Sequence, residues 1–253
     1  MQIDLGGRRV LVTGGTRGIG RATVELFLEA GARVALNGST AESTRQAVAE
    51  IAAGKDLIAA PGSLASLDGC RRVVETAVAG LGGLDVLVNN AGVADLVPIE
   101  DLDEASVDAM FDVNLKGVLF CTRFAGPHLQ ASRGAIVDIA SISALMGASQ
   151  DAVYAASKAA VIAITKCHAL ELAPDVRVNA VCPGSVETDM LRAVAEAWHG
   201  DSVTGLAAFV EGAALRRIAQ PREMALPILY LASDLASFVT GSVHVVDGGE
   251  TID

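Results

Sequence analysis

Tyr154 and Lys158 lie four residues apart in the run Tyr154-Ala155-Ala156-Ser157-Lys158, a separation that puts two side chains on one helical face. A phenol has a pKa near 10 and is a poor base at pH 7, but a neighbouring ammonium favours its ionised form. Such a pair can move a proton to or from a reacting oxygen. A second run, Thr13-Gly14-Gly15-Thr16-Arg17-Gly18-Ile19-Gly20, follows the apolar stretch at 10–12. Gly14, Gly18 and Gly20 permit a tight turn, close approach of a pyrophosphate and close helix–sheet packing. Free N–H groups at the start of the following helix then face the phosphates. The spacing is G-x-x-x-G-x-G and no Gly-Lys-Ser/Thr follows, so a dinucleotide is favoured over a nucleoside triphosphate. A phosphate cradle and a proton-handling pair in one chain point to an oxidoreductase.

These groups need a rigid frame, and the chain reads as one. Apolar strands are predicted at 10–12, 33–36, 57–60, 84–88, 135–139, 177–180 and 243–246, and helices at 18–31, 42–53, 105–129 and 151–172. Near-continuous apolar strands imply burial on both faces, as in a parallel sheet covered by helices. The expected fold is therefore α/β: a single-domain, doubly wound Rossmann fold spanning 1–253, with about seven parallel strands and right-handed crossovers. No linker or internal repeat divides it.

Several motifs in this order resemble the classical short-chain dehydrogenase/reductase family over essentially the full length, including members like the 3-oxoacyl-carrier-protein reductases. Asn89-Asn90-Ala91-Gly92 matches the family's segment after the fourth strand. Asn114, Ser141, Tyr154 and Lys158 match its catalytic tetrad, with spacings of 40, 13 and 4 between the tyrosine and the other three. Pro183-Gly184-Ser185-Val186-Glu187-Thr188 matches the segment that flanks nicotinamide. The resemblance implies that Tyr154 is the general acid/base and that Ser141 orients the substrate oxygen. It further implies that Lys158 also holds the nicotinamide ribose and that Asn114 holds a water in a proton relay. Ser143 rivals Ser141, but the spacing to Tyr154 favours Ser141 and leaves Ser143 a supporting hydroxyl. Ser157 reads as a packing residue. No esterase-type nucleophile elbow accompanies these serines, which counts against a hydrolase.

Cofactor choice turns on the end of the second strand. An acid there would bind the ribose diol of NAD(H), but the chain has Asn37-Gly38-Ser39-Thr40. Arg17 can pair with a 2′-phosphate, and hydroxyls at Ser39 and Thr40 add donors. NADP(H) is therefore expected, with NAD(H) as the alternative. The expected cofactor contacts are Gly14, Thr16, Arg17, Gly18, Ile19, Gly20, Gly38, Ser39, Thr40, Asn90, Ala91, Gly92, Tyr154, Lys158, Pro183, Gly184, Val186 and Thr188. Ser63 and Leu64 join them where the family usually carries an Asp-Val pair beside adenine.

The expected substrate contacts are Ser141, Ser143, Met146, Gln150, Tyr154, Met190, Leu191 and Trp198, with a substrate-binding lobe around 188–216. Gly200 and Gly205 leave room there for a moving segment, and Arg192 is the nearest candidate for a substrate anion. The expected activity is interconversion of a small-molecule secondary alcohol and ketone. A 3-oxoacyl-carrier-protein reductase is the alternative, and a non-enzymatic NAD(P)-binding protein a remote one.

At 253 residues with 51% hydrophobic residues, the chain can bury a sizeable core, and disorder is excluded. A net charge of −11 without a basic run argues against nucleic-acid binding. The four cysteines and four histidines are scattered, so neither a metal site nor a disulfide framework is expected. The opening residues show no signal-peptide pattern and no apolar run reaches the ~18 residues of a membrane span, so a cytoplasmic protein with no membrane role is expected. The weakly charged helices at 105–129 and 151–172 match those that pair subunits in the family, and a homotetramer is expected by that resemblance.

Overall fold

The computed structural model describes residues 3–52 and 54–252; the predicted helix end at Ala53 and the extreme termini lie outside them. Seven strands form one parallel sheet: β1 (Arg9–Val12), β2 (Arg33–Leu36), β3 (Leu57–Ala59), β4 (Val86–Asn89), β5 (Ala135–Ile139), β6 (Arg177–Pro183) and β7 (Val243–Val246). Their order is β3-β2-β1-β4-β5-β6-β7, the doubly wound Rossmann arrangement expected from the sequence. In β1, Val10 and Val12 enter one apolar cluster and Leu11 enters the other. That alternation is why the strand reads as continuously apolar: both faces are covered. On the first face lie helices α1 (Gly18–Glu29) and α9 (Pro221–Ala232), which bury Phe27, Val24, Ile228 and Leu231. The second face carries α3 (Leu67–Leu81) and α5 (Gly117–Ser132), with Val74, Ala77, Ala125 and Leu129. The remaining helices are α2 (Ala41–Ile51), α4 (Glu104–Phe111), α6 (Ala152–Glu171), α7 (Asp189–His199) and α8 (Ser202–Gly212).

Helix α3 is not anticipated by the sequence reading. Its signals are local nonetheless: Ser66 accepts the Gly69 N–H as N-cap, and Gly82 at φ +78 ends it. The single helix predicted at 105–129 is two helices joined by a π-helical turn, Asp112–Lys116. Hydrophobic periodicity cannot see such an insertion, since the helical pattern continues on either side. Cys70, Cys121 and Cys182 are buried and Cys167 is exposed, all as free thiols.

The sheet order reverses between β1 and β4. Crevices at the carboxyl ends of strands form at such a switch point, and loops after β1, β4, β5 and β6 all reach one cleft of about 590 Å³.

Candidate active site

The floor of the cleft at β1 is made by glycines that nothing larger can replace. Gly14 adopts φ +63, and a Cβ there would sit 2.8 Å from the Ala91 Cα; a Cβ on Gly20 would strike the Gly14 carbonyl. Asn90 fixes this turn through its Nδ2, which donates to the carbonyls of Thr13 (2.9 Å) and Gly14 (3.1 Å). The Thr13 hydroxyl in return accepts the N–H groups of Asn90 and Ala91. Arg17, the N-cap of α1, makes no side-chain cap. The first-turn N–H groups that an N-cap side chain would occupy are thus left for an anion. Thr16, Gly18 and Ile19 complete this wall. An open helix start behind glycines this close to the sheet fits a pyrophosphate.

At the outer end, Gly38, Ser39, Ser63 and Leu64 line the cleft. Thr40 does not: its hydroxyl caps α2 by accepting the Ser43 N–H at 3.1 Å. The Arg17 side chain is 78% exposed, 3.8 Å from Asp189 at the start of α7. Asn37, which follows β2 just before Gly38, is buried. Its Nδ2 donates to the carbonyls of Ala60 (2.9 Å) and Gly62 (3.0 Å), while its Oδ1 accepts the Gly14 N–H at 3.3 Å. It therefore ties the β1, β2 and β3 loops together, a role its sequence position alone does not reveal.

Ser141, Tyr154 and Lys158 line the inner wall, and Asn114 does not. Ser141 follows β5, and its Oγ accepts the Ser143 N–H at 3.1 Å. Tyr154 and Lys158 project from α6, with the Lys158 Nζ 5.7 Å from the centre of the tyrosine ring. Lys158 is 4% exposed and donates to the Ile139 carbonyl at 2.8 Å. Asn114 sits inside the π-helical turn and is fully buried. Its Nδ2 donates to the Val93 carbonyl (2.9 Å) and the Ser157 Oγ (3.0 Å), and its Oδ1 accepts the Val93 N–H (2.8 Å). Single π turns recur at functional sites; this one turns an amide toward the loop after β4. Ser157 is more than packing, because it supports Asn114 and donates to the Tyr154 carbonyl at 2.7 Å.

The electrostatics of the pair are set by burial first. Burial pushes the phenol up to about 12, the Ser141 hydroxyl offsets part of that, and the Asp151 charge adds to it. Burial also pushes Lys158 down to about 8, against the pull of Cys182 and Asp138. Burial is the largest cause of both shifts, because it withholds water from either charge.

Ser143, Met146, Met190, Leu191 and Trp198 line the cleft, as do Pro183, Gly184, Val186 and Thr188. Gln150 does not line it; its backbone takes φ +64 and its carbonyl accepts the Val97 N–H. The lobe is a helix pair, α7 and α8, with the rings of Trp198 and Phe209 5.9 Å apart. Gly205 is no hinge: it is buried where α8 crosses Ala195, and a Cβ there would strike that residue's backbone. Gly200, at φ +81, stops α7. Arg192 pairs with Glu187 at 2.5 Å, which removes it as a free anion contact.

Comparison with known proteins places this architecture. The family model described as "Enoyl-(Acyl carrier protein) reductase" matches residues 14–251. The 3-oxoacyl-[acyl-carrier-protein] reductase FabG of Thermotoga maritima is 39% identical over 257 residues, covering 98% of this chain and 99% of its own. The chain belongs to the classical short-chain dehydrogenase/reductase family. Cyclopentanol dehydrogenase of Comamonas sp. (strain NCIMB 9872) is likewise 39% identical, with 96% of each chain covered. The crystal structure of the short-chain dehydrogenase/reductase SDR:Glucose/ribitol dehydrogenase from Brucella melitensis superposes with a TM-score of 0.93 at 32% identity, covering 100% of both chains.

This short-chain dehydrogenase/reductase is an NAD(P)(H)-dependent oxidoreductase. Glu250 and Asp151 are among the cleft residues that the sequence reading did not name. Glu250 reaches in from beyond β7 and accepts the N–H (2.6 Å) and hydroxyl (2.7 Å) of Ser185; a contact across 65 residues leaves no local pattern. Asp151 lies three residues before Tyr154, just ahead of α6, and that spacing was its signal. Among the described residues, no helix is long and apolar enough to cross a membrane and no cluster of side chains could hold a metal ion.

Proposed function

We propose that this enzyme interconverts a secondary alcohol and a ketone, with Tyr154 as the general acid/base. The observation that carries this reading is the convergence of Ser141, Tyr154 and Lys158 on one wall of the cleft, beneath the glycine cradle. In reduction, the phenol gives its proton to the carbonyl oxygen, and burial keeps it in the protonated form that this step needs. Ser141 donates to the same oxygen and stabilises negative charge as it develops. In oxidation, the same phenol must first lose its proton and then takes the hydroxyl proton of the alcohol. Nicotinamide, when bound, supplies or accepts the hydride at the carbinol carbon. Lys158 holds the ribose, and Asn114 holds the relay that returns protons to the site.

The preferred cofactor is NADP(H). Arg17 and Ser39 provide a guanidinium and a hydroxyl at the outer end of the cleft, and Gly38 stands where a ribose-binding acid would repel a phosphate. Thr40 is withdrawn from this role by its cap. Residues 188–216 form the substrate lobe. The enzyme works in the cytoplasm, a reading supported by four free thiols, and assembles as a homotetramer. Assembly is supported by the exposed alanines Ala152, Ala156, Ala159 and Ala163 along α6 and by exposed Leu170 and Phe238.

A 3-oxoacyl thioester on a carrier protein is the second substrate reading, favoured by the name of the Thermotoga maritima relative. The pairing of Arg192 with Glu187 and the net charge of −11 weigh against an acidic carrier. A panel of secondary alcohols, ketones and a 3-oxoacyl thioester, run with NADPH and NADH and with their oxidised forms, tests the reading. Turnover of simple carbonyls or carbinols supports it. Turnover confined to the carrier-bound thioester favours the second reading, and none with any nucleotide overturns both.

A further inference from the structure

Asp151 is a carboxylate that neither the fold nor the proton chemistry accounts for. It is 4% exposed and stands on the cleft wall at the start of α6. The backbone serves the helix, since its carbonyl accepts the Ala155 N–H at 2.8 Å, but its side chain makes no cap. Burial pushes its pKa upward, and the one group holding it down among the described residues is the Ser143 hydroxyl. No cation pairs with it there. Natural proteins bury such a group only where something completes its hydrogen bonds.

Its surroundings say what that something is. Ser141, Ser143 and Tyr154 place three hydroxyls on the same wall, while Met190, Leu191, Val194, Trp198 and Phe209 bring apolar groups from the lobe. The Ser143 N–H is committed to the Ser141 Oγ at 3.1 Å, and its hydroxyl is the group that offsets the burial of Asp151. A neutral alcohol can complete this site by donating to a carboxylate lone pair that the serine's single proton leaves free. We propose that Asp151 and Ser143 receive a second hydroxyl on the substrate, one or two carbons from the reacting carbon. Diols and hydroxyketones are then preferred over simple alcohols and ketones. This inference rests on the Tyr154 reading, because the second hydroxyl is placed relative to the oxygen that Tyr154 protonates.

Cyclopentanol, cis-1,2-cyclopentanediol, cis-1,3-cyclopentanediol and cis-2-aminocyclopentanol form a matched set for the test. Wild-type enzyme should favour one of the diols over cyclopentanol by about tenfold or more in kcat/KM, the size expected of one charge-assisted hydrogen bond. In Asp151→Leu that ratio should fall to about one, and Asp151→Asn, which can still accept, should restore part of it. The dissociation constants of the same ligands for nucleotide-loaded Tyr154→Phe enzyme, with and without Asp151→Leu, give the ratio without turnover. If nothing is turned over, the Tyr154 reading fails and the binding ratio alone decides the Asp151 site. Equal preference for diol and cyclopentanol, a ratio that survives Asp151→Leu, or a tenfold preference for the aminoalcohol would each overturn the proposal.

Discussion

Replacing Lys158 with Met should change how stability depends on pH, and the direction follows from burial. The folded protein holds this amine at about 8, against an ordinary 10.5. Between those values the unfolded chain carries a proton that the folded chain has released, so stability must rise with pH across that window. Below it, the folded state bears the full cost of a buried ammonium, about 3 kcal/mol from the two values. Most of that cost, about 2–3 kcal/mol, is relieved between pH 7 and pH 10. In Lys158→Met the titrating group is gone. The lost hydrogen bond to the Ile139 carbonyl and any change in packing shift the mutant's curve without bending it. Urea unfolding of both proteins from pH 7 to pH 10 gives the difference in unfolding free energy, in which titrations common to both cancel. The wild type should gain about 2–3 kcal/mol on the mutant as pH rises through this range. A flat difference would show that Lys158 keeps its ordinary pKa and that the buried-amine reasoning is wrong.

Arg17→Ala should lower kcat/KM for NADPH by more than about tenfold, the loss of one charged contact, while leaving NADH use little changed; equal losses for both nucleotides would make Arg17 a general contact. Ser39→Asp should shift preference toward NADH in the same assay. Position 38 cannot serve, because a Cβ there would lie 2.5 Å from both Thr16 and Thr44. Glu250→Ala leaves the buried Ser185 N–H and hydroxyl without their acceptor and should cost about 1–3 kcal/mol of stability, with weaker nucleotide binding. Thermal unfolding and titration of the nucleotide check both effects, and an unchanged midpoint would show that water replaces the carboxylate.

What the sequence revealed depended on whether the signal was local. The glycine turn, the Tyr154–Lys158 pair and the strand cores are each written within a few residues, and the structure contains all of them. Strand ends moved by a residue or more: the strand predicted at 84–88 is Val86–Asn89, and the one predicted at 177–180 runs to Pro183. The π-helical turn was invisible because inserting it leaves the helical period intact on both sides, and it decides where Asn114 points. Asn37 and Glu250 act through contacts with loops far away in sequence, so nothing beside them announced their roles. The upward push on the Tyr154 phenol was not legible because spacing reports proximity but not desolvation. Thr40 and Gly205 were assigned by residue type, and in each case a backbone neighbour, the Ser43 N–H or the Ala195 backbone, already claims the position.

The central claim is that Tyr154 carries the proton, and Tyr154→Phe tests it by removing one oxygen from the ring. Steady-state turnover should be measured on the best substrate of the panel, alongside nucleotide titration and thermal unfolding of the same preparation. The account predicts a folded protein that still binds nucleotide and whose kcat falls by about 10²–10⁴-fold, the usual contribution of a positioned acid or base. A folded Tyr154→Phe enzyme that keeps wild-type kcat would contradict it.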